Sequence, residues 1–188
     1  MKVQIEPIWR ASTQQVVFRS LVQAMSRPGR VEDLSEQLAG EPAYLAVLAT
    51  LTDRMVTIGD PDEMIDPNRW LLLESRSALA TDADYIVANG RRAPSADFAP
   101  RLGELSHPER GSTLILEVDA IGSNEGLSLG LRGPGIRDSV SVRITGLDAA
   151  WLKRRGEWVR NFPLGVDLLL TDPTQVLAIP RTTTVNSD

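Results

Sequence analysis

The stretch from Val166 to Ile179 constrains the fold more than any other part of the sequence. It reads Val-Asp-Leu-Leu-Leu, then Thr-Asp-Pro-Thr-Gln, then Val-Leu-Ala-Ile. Asp172–Pro173 is typical of a turn between two strands, because proline fits the second position of a type I turn. Successive side chains of a strand point to opposite faces, so both strands are apolar on both faces. We therefore predict a hairpin in the middle of a sheet that is covered on both sides.

Asp167 is a charged residue inside this apolar hairpin. With the turn centred on Pro173–Thr174, Leu168 faces Ile179, and Arg181 falls on the sheet face opposite Asp167. A slip of one residue would bring the two charges to the same face. A buried carboxylate is costly unless it is paired or accepts hydrogen bonds. Two interpretations stay open: a structural acid that accepts backbone N–H bonds, and an acid that contacts a ligand.

The rest of the chain predicts helices mainly in the first half and strands mainly in the second. The first helix is expected to start at Ser12, with Gln15 completing a capping box, and to present Phe18, Leu21, Val22 and Met25 on one apolar face. A short helix after Asp148 should end at Gly156. Residues 91–111 show little periodicity and predict a long surface excursion. The fold class predicted is α/β, a mixed β-sheet covered by helices in a single domain of residues 1–188, with 1–10 and 184–188 as tails.

Composition excludes several kinds of function. The sequence has no cysteine and one histidine, so thiolate chemistry and histidine-rich metal sites are excluded for this chain alone. A net charge of -5 argues against a general nucleic-acid binder. The N-terminal residues lack the apolar run of a signal peptide, and no stretch is long and apolar enough for a membrane span, so we expect a cytoplasmic protein. No familiar catalytic set is present.

Two short motifs could bind an anion. Gly133 and Gly135 flank a proline after a predicted strand, and such a turn can expose backbone N–H groups to phosphate. The motif matches neither of the usual phosphate-binding fingerprints, and a plain tight turn explains it as well. Arg181, Thr182 and Thr183 follow the last apolar strand and offer a guanidinium and two hydroxyls. A strand end that bonds locally or fills a subunit contact is the alternative.

Four groups of residues together resemble one family. They are an N-terminal signature with Phe18-Arg19, Leu21-Val22 and Ala24-Met25-Ser26-Arg27-Pro28-Gly29; the central strand Gly111-Ser112-Thr113-Leu114-Ile115-Leu116; the turn Gly133-Pro134-Gly135-Ile136; and the C-terminal Phe162-Pro163-Leu164-Gly165-Val166-Asp167-Leu168 with Ala178-Ile179-Pro180-Arg181-Thr182-Thr183. Their order and spacing resemble the PhnH family, a subunit of the bacterial carbon–phosphorus lyase system.

The resemblance implies a fold similar to the large domain of PLP-dependent transferases, without the PLP site. The lysines agree with that expectation, because Lys2 falls in a predicted tail and Lys153 at a charged helix end. The resemblance further implies a homodimer in isolation and assembly with the G, I and J subunits into a core complex. With G and I, the family supports displacement of adenine from ATP by a phosphonate, giving a ribose 1-phosphonate 5-triphosphate such as the 1-methylphosphonate.

Three hypotheses follow. The chain is a non-autonomous subunit of that complex, supplying assembly, stability or part of a composite site. Alternatively it is a purely structural adaptor, or a self-sufficient enzyme with an anion site formed by Gly133, Gly135 and Arg181.

Overall fold

The computed structural model describes residues 6–187, whose backbone forms two β-sheets and five α-helices. The helices are α1 (Ala11–Ser26), α2 (Ser35–Leu38), α3 (Ala43–Leu51), α4 (Pro67–Leu73) and α5 (Ala149–Trp158). The strands are β1 (Val31–Asp33), β2 (Thr57–Gly59), β3 (Arg76–Ser77), β4 (Tyr85–Asn89), β5 (Thr113–Glu117), β6 (Ala120–Ile121), β7 (Leu127–Arg132), β8 (Val140–Thr145), β9 (Asp167–Thr171), β10 (Gln175–Ile179) and β11 (Thr184–Ser187).

The larger sheet has seven strands in the order β1-β10-β9-β5-β4-β2-β3. Strands β3, β2, β4, β5 and β9 run parallel, and the hairpin β9–β10 and strand β1 add antiparallel pairs. The hairpin lies inside the sheet, and its register pairs Leu168 with Ile179 and Leu170 with Leu177, as predicted. The mixed sheet expected from the sequence is therefore confirmed.

The two faces of this sheet are covered by different layers. Leu169, Val176 and Ala178 pack into a buried cluster with residues of α1 and α3. Leu168 and Leu170 point the other way, into a second cluster. There they meet α5 and the inner side of a four-stranded antiparallel sheet of order β11-β7-β8-β6.

Helices therefore cover one face as predicted, whereas the other face carries a second sheet as well as a helix. The alternating pattern of β7 and β8 does predict half-buried strands, and their alternate residues are indeed buried. The pattern carries no information about which sheet such strands join.

Two predicted helix boundaries were wrong. Helix α1 begins at Ala11, not after Ser12, and a 3-10 turn at Pro7–Trp9 leads directly into it. Helix α5 continues through Gly156 to Trp158. The buried Trp158 ring lies on that last turn, and its burial outweighs the roughly 1 kcal/mol that a glycine costs in a helix.

The predicted tails are partly structured. Residues 184–187 form β11, which pairs with β7, so the prediction of a tail there was wrong. At the other end Ile8 is buried in the core. Residues 1–5 and 188 lie outside the described part. Residues 91–111 are mostly irregular, as predicted, and Phe98 anchors them by packing edge-on against Trp151 at 5.1 Å between ring centroids. Among residues 6–187 we find no helix with the length and apolar character needed to cross a bilayer.

Candidate functional site

Arg181 is the centre of the strongest polar contact among the predicted site residues. Its Nη2 donates to Asp167 Oδ2 at 2.7 Å and its Nε to the same oxygen at 3.2 Å. Its backbone N–H donates to Asp167 Oδ1 at 2.7 Å. The remaining guanidinium nitrogen, Nη1, donates to the carbonyls of Pro108 at 2.7 Å and Pro163 at 3.4 Å. The guanidinium therefore ties three separate segments of this chain together, and we call this contact the Arg181 junction.

The prediction that Arg181 lies on the other face of the sheet from Asp167 was wrong, although the predicted hairpin register was right. Strand β10 ends at Ile179, and the chain then turns at Pro180, with the N–H of Thr183 donating to the Pro180 carbonyl at 2.9 Å. Alternation of side chains holds only within a strand. Beyond its end the turn brings Arg181 round to the first residue of β9, without any slip of register.

A second arginine, Arg155 of α5, holds the same turn from the inside. It is 3% exposed, and its Nη2 donates to the carbonyls of Pro180 at 2.7 Å and Thr183 at 3.0 Å. Burial lowers the pKa of Arg155 to about 10, against the opposing attraction of Asp167. Arg155 Nε and Thr183 Oγ1 are buried without a hydrogen-bond partner. The turn is thus fixed by internal charge-assisted hydrogen bonds.

Close backbone approaches explain two glycines around the junction. A Cβ on Gly111 would lie 2.2 Å from the Gly165 carbonyl oxygen and 3.0 Å from Arg181 Nη1. A Cβ on Gly133 would lie 2.9 Å from the Thr182 carbonyl oxygen, and Gly133 also has φ +145°. The structure therefore brings Asp167, Arg181, Thr183 and Gly133 together, and leaves Thr182 exposed beside them.

Gly135 belongs to a different contact. It has φ +82°, and a Cβ there would lie 2.2 Å from the carbonyl oxygen of Ser26, at the end of α1. The predicted anion site of Gly133, Gly135 and Arg181 is therefore divided between two places in the fold. The donors of Arg181 are used by Asp167 and by backbone carbonyls, so the arrangement suits structural support.

The sequence analysis did not single out Arg155, which follows Lys153 and Arg154 at the charged end of this helix. Trp151, Arg155 and Trp158 follow at i, i+4 and i+7 and share the buried face of α5. An arginine between two tryptophans at helical spacing indicates that the arginine is buried. The prediction that the helix ends at Gly156 left Trp158 outside it and so concealed this pattern. Within residues 6–187, no group of three histidine or acidic side chains is placed to hold a metal ion.

The architecture defines an α/β protein with a mixed sheet. At the start of β9, the Arg181 junction joins residues of the two C-terminal motifs to the segment around Pro108. Comparison with known proteins gives the family. The model of the bacterial phosphonate metabolism protein family, PhnH, matches residues 8–186, and the chain belongs to this family.

Two relatives are similar over nearly their whole length. HtxG of Stutzerimonas stutzeri, named as a C-P lyase subunit protein, is 41% identical over 95% of this chain and 89% of its own. The PhnH subunit of alpha-D-ribose 1-methylphosphonate 5-triphosphate synthase from Rhizobium meliloti (strain 1021) is 33% identical over 95% of this chain and 91% of its own.

Proposed function

We propose that this chain is a non-autonomous subunit of a carbon–phosphorus lyase core complex. It acts with G and I subunits in the displacement of adenine from ATP by methylphosphonate, which yields ribose 1-methylphosphonate 5-triphosphate. The observation that carries the proposal is the match to two relatives named as subunits of such systems, each over 95% of the chain. The finer features expected from the resemblance belong to the same proposal: assembly with G, I and J subunits, a homodimer in isolation, and a cytoplasmic location.

An exposed apolar groove supports the role of a subunit. Helix α1 leaves Phe18 50% and Val22 44% exposed, although both belong to the apolar face predicted from the sequence. They line a groove of about 280 Å³ with Met25, Leu51 and Tyr85. Scattered exposed apolar residues are common, but contiguous ones mark surfaces that a partner covers. We expect a partner subunit to cover this groove in the complex.

Co-expression with affinity-tagged G, I and J subunits tests the proposal. We expect the wild-type chain to be retained with them through size-exclusion chromatography. The double variant Phe18→Ser/Val22→Ser should be retained at least tenfold less, because interface truncations of buried anchors cost about 2 kcal/mol or more. Val16→Ser is the matched control, since Val16 is 40% exposed and does not line the groove. Failure of the wild-type chain to associate with cognate subunits would contradict the proposed function.

We also propose that the fold resembles the large domain of PLP-dependent transferases and that the chain carries no PLP. A Schiff base requires a lysine whose ammonium is partly desolvated. Lys153 is exposed on α5, and Lys2 lies outside the described residues. The purified protein is incubated with PLP at about millimolar concentration, and the unbound PLP is then removed. The protein should show no absorbance band of a lysine Schiff base.

A purely structural adaptor is the second candidate, and the Arg181 junction favours it. Asp167 and Arg181, the charged residues of the C-terminal motifs, bind groups of their own chain. The two candidates differ in one measurement. In an assembled complex, an adaptor tolerates removal of exposed charges without loss of turnover, whereas a subunit that completes a composite site does not.

A further inference from the structure

A basic cleft lies where two of the family motifs meet. The segment Arg27–Arg30, directly after α1, forms one wall, and residues 135–140, leading into β8, form the other. The cleft has a volume of about 410 Å³. Ligand sites commonly fall in this size range, upward of about 300 Å³. The Arg181 junction accounts for Gly133 but not for the other residues of these two motifs.

The two walls touch through glycines, which fixes the shape of the cleft. A Cβ on Gly135 would meet the Ser26 carbonyl oxygen at 2.2 Å, and a Cβ on Gly29 would meet Val140 Cγ1 at 2.3 Å. Both glycines have left-handed backbones, with φ +82° and +90° respectively. The sequence therefore holds the walls in a contact that no larger residue permits without movement.

Three arginines line this cleft, and two of them lack acidic partners. Arg27 on one wall and Arg137 on the other are exposed, and no ion pair among residues 6–187 involves either of them. Arg30 pairs with Glu32 at 2.5 Å. Asp138 is the acidic residue of the lining. This is a local excess of positive charge on a chain whose net charge is -5.

The helix dipole explains one arginine but not the other. Cations are favoured at a helix C-terminus by about 0.3–1 kcal/mol, which accounts for Arg27 at the end of α1. Arg137 comes from the segment between β7 and β8, where no helix C-terminus favours a cation. Like charges that line one cleft repel each other, and a ligand of opposite charge bound between them relieves that repulsion.

We propose that this cleft binds a phosphoryl or phosphonyl dianion, with Arg27 and Arg137 as its ligands from opposite walls. Guanidinium groups match the oxygens of such tetrahedral anions through paired N–H donors. The chemistry is shared by a free alkylphosphonate and by the phosphate chain of a nucleotide. The site deepens the proposed function, and its choice of ligands rests on it. Arg181, predicted earlier as the anion ligand, lies outside this cleft.

Titration of the purified chain at low salt tests the site with three probes: methylphosphonate, tripolyphosphate and ATP. We expect saturable binding of at least one probe by calorimetry. Arg27→Gln and Arg137→Gln should each weaken it by about tenfold or more, since a charge-assisted hydrogen bond contributes about 1.5–3 kcal/mol. Arg160→Gln removes another exposed charge, outside the cleft, and should change affinity less than about twofold. Unchanged melting temperatures ensure that each variant is folded.

The probes separate the two sources of the anion. Methylphosphonate binding without tripolyphosphate binding assigns the cleft to the phosphonate, and the reverse assigns it to the phosphate chain. Absence of saturable binding up to about 10 mM of every probe overturns the site. Full binding by the double variant Arg27→Gln/Arg137→Gln overturns the site as well. If this variant keeps full binding but fails to assemble with the other subunits, the cleft is a protein contact. Because assembly is measured separately, failure of the site leaves the proposed function standing.

Discussion

Replacement of Arg181 by alanine should destabilise the chain by about 3 kcal/mol, near the lower end of the range for breaking a buried ion pair. The change removes two hydrogen bonds to Asp167 and one short bond to the Pro108 carbonyl. The Arg181 and Asp167 side chains are only 13% and 18% exposed, so water replaces these bonds incompletely. For a domain of this size the expected fall in Tm is about 6–12 °C.

Urea unfolding followed by far-UV circular dichroism measures the loss. The matched control is Arg54→Ala, whose ion pair with Glu74 leaves the two side chains 77% and 56% exposed. An exposed pair contributes between about 0 and 1 kcal/mol, so the control should lose little stability. In a double-mutant cycle with Asp167→Ala, we expect a coupling energy of about 1.5 kcal/mol or more, because the two groups are in direct contact.

The reasoning is refuted if Arg181→Ala loses no more stability than Arg54→Ala. That result would mean that the Asp167–Arg181 contact contributes little to the fold. The guanidinium would then be free for a ligand or a partner, and the functional interpretation of Arg181 would return.

Three further predictions test the packing and the charges. Gly135→Ala should lower the free energy of unfolding by about 2–3 kcal/mol, through backbone strain and a clash with Ser26. The control Gly40→Ala, at φ +93° with open space around it, should lose only about 1 kcal/mol through strain alone, and urea titration measures both. Asp84→Asn should reduce the loss of stability at acid pH. Burial raises the pKa of Asp84, but hydrogen bonds from Thr57 and Arg101 outweigh this effect and hold the pKa below its usual value. The carboxylate therefore stabilises the fold above about pH 4, and this contribution is lost as the pH falls further, which a plot of Tm against pH measures. Arg155→Met should cost about 1–3 kcal/mol, because it refills the volume but leaves the Thr183 carbonyl without its donor. Arg155→Ala should cost more, because it also leaves a cavity, and equal losses in urea would contradict the argument.

The sequence predicted the parts of the fold that depend on local pattern. The hairpin register followed from proline in the turn and from strands that are apolar on both faces. Strands β5, β7 and β8 followed from β-branched or alternating residues. The contacts that the sequence did not predict depend on the path of the chain beyond the end of a helix or strand. The pairing of Asp167 with Arg181 is made by a turn, where side-chain alternation gives no information.

The candidate site shows the same division. Gly133, Arg181 and Thr183 stood out as motif residues, and the fold does bring them together. That Arg27 and Arg137 line the same cleft could not be predicted, because more than a hundred residues separate them and no periodicity links them. Arg155 could have been found from its spacing with two tryptophans, since its burial follows from helical geometry alone.

The order of strands in the larger sheet has a consequence for how this protein is made. Strand β1 pairs only with β10 in that sheet, Val31 lying opposite Leu177, and β5 receives its second neighbour only when β9 arrives. A ribosome adding about 5–20 residues per second needs roughly seven to thirty seconds to pass from β1 to β10. Until β9 has been made, the edge of β5 that pairs with it stays open. Strand β1 therefore lacks its partner for most of the chain's synthesis, and chaperone binding should concentrate on the part of the chain made before β9.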